Sequence, residues 1–142
     1  DPALASRIVW FDAFTSNVDR STRNPNMMLW HRRLWLIDHG AALYFHHGWD
    51  GDPARADAAF PLIRDHVLLP WADAVERADA ELASKLTPAL IADVVAQVPD
   101  AWLDGPDAFA DADGQRAAYV DYLVRRVRQR AAFVEGIRDA RG

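Results

Sequence analysis

Residues 17–40 read NVDRSTRNPNMMLWHRRLWLIDHG. A polar loop, Asn17 to Asn26, gives way to two short apolar runs, Met27-Met28-Leu29-Trp30 and Leu34-Trp35-Leu36-Ile37, with His31-Arg32-Arg33 between them. Runs of four bounded by polar residues favour a β-hairpin over a helix. The connection holds neither Gly nor Asn, which leaves the turn type open. Asp38-His39-Gly40 follows the second run directly. Two strands alone are not stable in water, so the hairpin is expected to lie on helices.

The flanking sequence supplies those helices. Upstream, Leu4 to Thr15 carries Ile8, Val9, Trp10 and Phe11, with Pro2 placed to start a well-buried helix. Downstream, Gly48-Trp49-Asp50-Gly51-Asp52-Pro53 is a loop signal, and everything after Pro53 reads as helical. Ala54 to His66 is expected to be split at Pro61. Pro70 to Leu86 reads as a helix with Trp71, Val75, Leu82 and Leu86 inward. Thr87-Pro88 marks the N-terminus of another helix, Ala89 to Val98. Leu103-Asp104-Gly105-Pro106 reads as a turn. Ala112 to Arg138 reads as one long helix, with Arg125, Arg126, Arg128 and Arg130 on a solvated outer face. The fold class is therefore mainly α, a single helical domain over residues 1–142 with one short β-hairpin.

Composition narrows the function classes. A formal net charge of −5 argues against a general nucleic-acid binder. The absence of cysteine excludes disulfides and thiolate metal sites. No apolar run approaches the ~20 residues of a membrane helix and no signal-peptide pattern opens the chain, so a cytoplasmic location is the expectation. The six tryptophans read as core pieces, and His46-His47, with no H-x₃-H pair, as surface or interfacial histidines rather than zinc ligands. Lys85 is the one lysine against fifteen arginines, so chemistry that needs lysine has a single source.

The polar residues that carry chemistry gather around the hairpin. Asp19 and Asn24 stand five apart in the loop, the Asp-to-Asn interval of the kinase catalytic loop H-R-D-x-x-x-x-N, and Asp38-His39-Gly40 has the form Asp-x-Gly. Such a set suits phosphoryl transfer, which asks a protein mainly for positioning and charge neutralisation. A carboxylate near an acceptor hydroxyl can orient it and take its proton, and an amide oxygen and a second carboxylate are hard donors suited to Mg²⁺. Gly40 is expected to let the chain turn sharply after Asp38.

Asn17-Val18-Asp19-Arg20-Ser21-Thr22-Arg23-Asn24 followed by Leu34-Trp35-Leu36-Ile37-Asp38-His39-Gly40 resembles the HipA-like kinases. It is also similar to the catalytic core of the phosphatidylinositol 3- and 4-kinases, where an Asp-Arg-His loop precedes an Ile-Asp-Phe-Gly segment. The resemblance covers about residues 8 to 47, and the helices after Pro53 fit a kinase helical lobe in general character. It implies the C-terminal, catalytic-loop lobe of a protein-kinase-like fold. Asp19 would be the catalytic aspartate, Asn24 and Asp38 the ligands of magnesium bound with ATP, and a hydroxyl of a protein or small molecule the acceptor. Asn26 is an alternative to Asn24. Ser21 stands where relatives often have His. The glycine-rich loop and strand lysine that grip ATP phosphates are missing, and Lys85 lies downstream on a helix, so the expected partner is an N-terminal nucleotide lobe. The competing expectations are a non-catalytic, kinase-like interaction module and a plain helical domain.

Overall fold

In the computed structural model, which describes residues 1–103 and 109–142, the chain is mainly helical with one two-stranded antiparallel hairpin. Helix α1 (Pro2–Phe14) is the central element. Asp1 caps it, its carboxylate accepting from the Ala3 amide at 3.0 Å, and Pro2 takes the first position, where no amide donor is needed. The helix is apolar almost all round, which suits burial on several sides. It contacts α2 (Val75–Lys85) and α5 (Ala131–Arg141), while α3 (Pro88–Val95) packs on α4 (Ala112–Arg128). Val9, Trp10, Ala13 and Phe14 meet Ile63, Leu69, Val75, Ile91, Phe133 and Ile137 in the main core. Trp10 stacks on Phe14 and meets Phe133 edge-on, and its indole N–H donates to Asp79 at 2.9 Å. A smaller cluster gathers Phe45 and Phe109 around Trp49, Ala56 and Tyr122.

The hairpin lies where the apolar runs put it. Strand β1 (Met27–Trp30) pairs with β2 (Arg33–Leu36), Met27 opposite Leu36 and Trp30 opposite Arg33. The two-residue loop is His31-Arg32, with φ of 47° and 63°. Positive φ at both positions is the signature of the type I′ turn, whose twist matches that of the strands, here adopted without the usual Asn-Gly.

Several expectations are corrected. The hairpin does not lie flat on the helices: Leu29, Trp30 and Trp35 are exposed, and Met28, Leu34 and Ile37 nearly as much. Only Trp10 and Trp49 of the six tryptophans are buried, and Trp71 and Trp102 are exposed. Between Pro53 and Trp71 the chain forms short 3₁₀ turns, Pro53–Asp57, Pro61–Asp65 and Leu69–Trp71, each with a proline in its first turn. Closely spaced prolines remove the amide donors a longer α-helix requires. Helix α2 accordingly begins at Val75 rather than Pro70. Thr87 caps α3 as expected, its hydroxyl accepting from the Leu90 amide at 3.2 Å. The long C-terminal helix is broken into α4 and α5 at Gln129-Arg130. Apart from Leu103, the turn read at Leu103-Asp104-Gly105-Pro106 falls outside the described residues.

Arg126 is the clearest departure, buried where a solvated face is expected. Its guanidinium donates to the carbonyls of Ala13 (3.0 Å), Phe14 (3.4 Å), Ala56 (3.0 Å) and Ala58, and it sits 4.8 Å from the centre of the Phe133 ring. The last turn of a helix leaves carbonyls without intrahelical donors, and a buried cation there satisfies them and the helix dipole together. Arg125 and Arg130 instead pair with Asp57 and Asp79, and Arg128 is exposed.

Candidate functional site

The loop after α1 is held by a charge buried inside the fold. Asp12 lies in an otherwise apolar stretch, Trp10-Phe11-Asp12-Ala13-Phe14, and is fully buried. Its carboxylate accepts from Arg20 Nε at 2.5 Å, from His66 Nε2 at 2.9 Å and from Asn17 Nδ2 at 3.1 Å. Because His66 Nδ1 accepts the Leu68 amide, Nε2 carries the proton that goes to Asp12. Burial pushes the Asp12 carboxyl up. The hydrogen bonds from His66 and Arg20, the Arg20 charge and the Asn17 amide outweigh that and hold it below the ordinary aspartate value. Arg20 then reaches on to the backbone carbonyls of Asn26 and Pro25, and its own carbonyl accepts the Val67 amide at 3.0 Å. Both ends of the loop and the 61–67 segment are thus tied to one buried carboxylate.

Asp19 is presented by that frame. Its amide donates to Asn17 Oδ1 at 3.2 Å, and its neighbour Arg20 is buried, so its half-exposed side chain turns to the other side of the loop. There Oδ2 accepts from Asn24 Nδ2 at 2.6 Å and from Asn26 Nδ2 at 3.2 Å. The Asn26 amide also reaches the Asp38 carbonyl at 3.4 Å, and the Asn26 carbonyl accepts the Ile37 amide at 3.0 Å. The hairpin therefore closes at its base on Asn26 and Asp38 and brings Asp38 beside the Asp19 loop. Ser21 shapes the turn between, its hydroxyl accepting the amides of Arg23 and Asn24, both at 3.3 Å.

Asn26 and Asp38 both have left-handed backbones, with φ of 46° and 50°. Asn and Asp tolerate this region better than most residues. The sharp turn after the hairpin is thus made by Asp38 itself, not by Gly40. A Cβ on Gly40 would meet Asp38 Oδ1 at 3.5 Å, an ordinary contact.

Three of the four residues singled out from the sequence, Asp19, Asn24 and Asn26, are joined directly through side chains, and Asp38 is joined through its backbone. Asn26, the alternative, occupies the bridging position, whereas Asn24 is exposed and its side chain bonds to Asp19 alone. Since a carboxylate only accepts, both amides present nitrogen to Asp19 and leave their oxygens unused. The donors available are hard oxygens: the carboxylates of Asp19 and Asp38 and the amide oxygens of Asn24 and Asn26. That chemistry fits Mg²⁺. Among the described residues no group of three or more His, Cys, Asp or Glu is placed to hold a metal, so such an ion would depend on the asparagines.

Sequence reasoning missed Asp12, Arg20 and His66. The signal was a lone aspartate in a helix whose neighbours are Trp, Phe and Ala, a position where a charge must find partners. Comparison with protein-family models, with curated proteins and with solved structures finds no match to this chain.

Proposed function

We propose that this chain is the catalytic-loop lobe of a kinase-like phosphotransferase that moves the γ-phosphate of ATP to a hydroxyl of a protein or small molecule. The observation that carries this reading is the meeting of Asp19, Asn24 and Asn26 at the base of the Asp38-bearing hairpin, with Asn26 bridging the Asp19 carboxylate and the Asp38 carbonyl. Asp19 orients the acceptor hydroxyl and takes its proton as the oxygen attacks. Asn24 and Asn26 hold that carboxylate in place. Asn24 and Asp38 would hold a magnesium ion, which neutralises phosphate charge when bound. The buried Asp12–Arg20–His66 set fixes the loop, which matters because misplacement by about 1 Å can cost ~10²-fold in rate. The exposed apolar hairpin is the surface a nucleotide-binding lobe would cover.

The test is γ-phosphate release and transfer by the protein together with its nucleotide lobe. Asp19→Ala and Asp38→Ala are each expected to lower the rate by orders of magnitude, and Asp38→Ala also to weaken the dependence on Mg²⁺. Wild-type rates in both variants would make these residues structural.

The second reading is a non-catalytic interaction module. It is favoured by the hairpin, whose Trp30 and Trp35 are exposed on one face and Leu29 and Leu34 on the other. Absence of nucleotide binding by calorimetry at millimolar ATP and Mg²⁺ would decide for it.

A further inference from the structure

We propose that the cleft between the Asn17–Asn26 loop, the Pro61–Asp65 turn and the end of α5 binds the phosphate group of a small phosphomonoester. The cleft encloses about 940 Å³. Arg23 enters it from the loop, Arg64 from the turn and Arg141 from the last turn of α5. Among the described residues these three guanidinium groups form no ion pair; Arg32, Arg33, Arg55, Arg77, Arg126 and Arg128 form none either, but none of those lines this cleft. All three are exposed and lack a carboxylate partner, so three separate elements bring guanidinium donors to one cleft that are free to meet an anion.

The charge of the cleft selects the anion. Asp65 also lines it, so three arginines and one aspartate leave a formal balance of +2. A phosphomonoester carries nearly −2 at neutral pH and offers three acceptor oxygens, matching both the charge and the planar donor forks of arginine. Ser21 and Thr22 add hydroxyls to the same wall, and the Ser21 oxygen already accepts two backbone amides, which leaves its proton free to donate outward.

The walls are built before any ligand arrives. Ser21 and His66 form a β-bridge, and the Val67 amide donates to the Arg20 carbonyl, joining loop and turn directly. His66 adds no charge-bearing donor of its own, since Nε2 is committed to Asp12 and Nδ1 to the Leu68 amide. The recognition therefore falls to the arginines.

The experiment is an NMR titration of the whole chain at low ionic strength, following arginine Nε–Hε signals. Separate arms use inorganic phosphate, glycerol 3-phosphate, acetate and chloride. Saturable shifts with phosphate and glycerol 3-phosphate, weaker with acetate and lost on adding salt, are expected. Tighter binding of glycerol 3-phosphate identifies the ester as the ligand class, and tighter binding of inorganic phosphate overturns that part. Arg23→Gln and Arg64→Gln should each weaken binding about tenfold, the scale of a charge-assisted hydrogen bond. Asp65→Asn should tighten it, and Arg128→Gln should leave it unchanged. Circular dichroism confirms folding of each variant. Equal responses to phosphate and chloride, or unchanged affinity in both arginine variants, overturn the proposal. The test is independent of phosphoryl transfer: phosphate binding by this chain, with no transferase activity when it is paired with a nucleotide lobe, defeats the kinase reading and leaves this one standing.

Discussion

Replacing Asp12 by Asn tests whether one buried charge organises both the fold and the site. The change keeps the shape and one carbonyl acceptor but removes the charge that faces Arg20 and His66. Arg20 is itself fully buried, so Asp12→Asn leaves a guanidinium in a low-dielectric interior without a counterion. Removing one partner of a buried pair costs roughly 3–5 kcal/mol, most of it the penalty on the abandoned charge. For a domain of this size that corresponds to a fall of about 10–15 °C in melting temperature.

The assay is urea denaturation of wild type, Asp12→Asn, Asp12→Leu, Arg20→Met and the pair Asp12→Leu with Arg20→Met, the last three completing a double-mutant cycle with wild type. The double replacement is expected to be less damaging than either single polar change, because apolar groups abandon no charge. The pH dependence has a definite sign. Because the Asp12 carboxyl is held below 3.8 in the folded chain, its contribution is fully present above pH 3.8 and is lost as pH falls through the lower, folded value. Asp12→Asn should lack that component of acid unfolding. A variant within ~0.5 kcal/mol of wild type, or strictly additive effects in the cycle, would refute the reasoning.

Other outcomes follow from single contacts. Arg126→Met should cost about 3–5 kcal/mol by chemical denaturation, since the carbonyls of Ala13, Phe14 and Ala56 each lose a buried charged donor. Gly51→Ala should destabilise measurably in a thermal melt, because Gly51 has φ of 86° and an added Cβ would lie 3.2 Å from Phe109, whereas Gly40→Ala should change the melt little. Trp35→Ser should leave stability nearly intact, as that ring is 52% exposed, while abolishing any partner binding through the hairpin. His31→Asn with Arg32→Gly should stabilise the hairpin by about 1 kcal/mol, read from slower hydrogen exchange of its strand amides.

The hairpin is legible in the sequence because its signals are local: two apolar runs of four, bounded by polar residues, give strands placed to within a residue. The Thr87-Pro88 helix start is legible for the same reason, since a cap acts within one turn. What is not legible is set by partners distant in sequence. Arg126 reads as one arginine of a solvated face because its acceptors lie on α1 and on the 53–58 segment. The long C-terminal pattern keeps a helical period through Gln129-Arg130, so nothing local announces the break. The tryptophans mislead because composition shows how much apolar surface a chain has, not whether that surface is covered.

The candidate site divides along the same line. Asp19, Asn24 and Asp38 stand out through spacing, and their convergence depends on the hairpin that spacing also implies. Their anchor, Asp12 with His66, spans 54 residues and leaves only one local trace, a charge among aromatic side chains. That trace carries physical information nonetheless. A carboxylate bound in the interior by a guanidinium, an imidazole and an amide gives the fold little net stability over an apolar replacement. What it does give is position: it fixes Arg20, and through Arg20 both Asn26 and the segment carrying Val67. The same contacts place Asp19 at the hairpin base on one side and Arg23 in the cleft on the other. A loop that presents different groups to two faces needs a fixed point between them, and the buried aspartate supplies it.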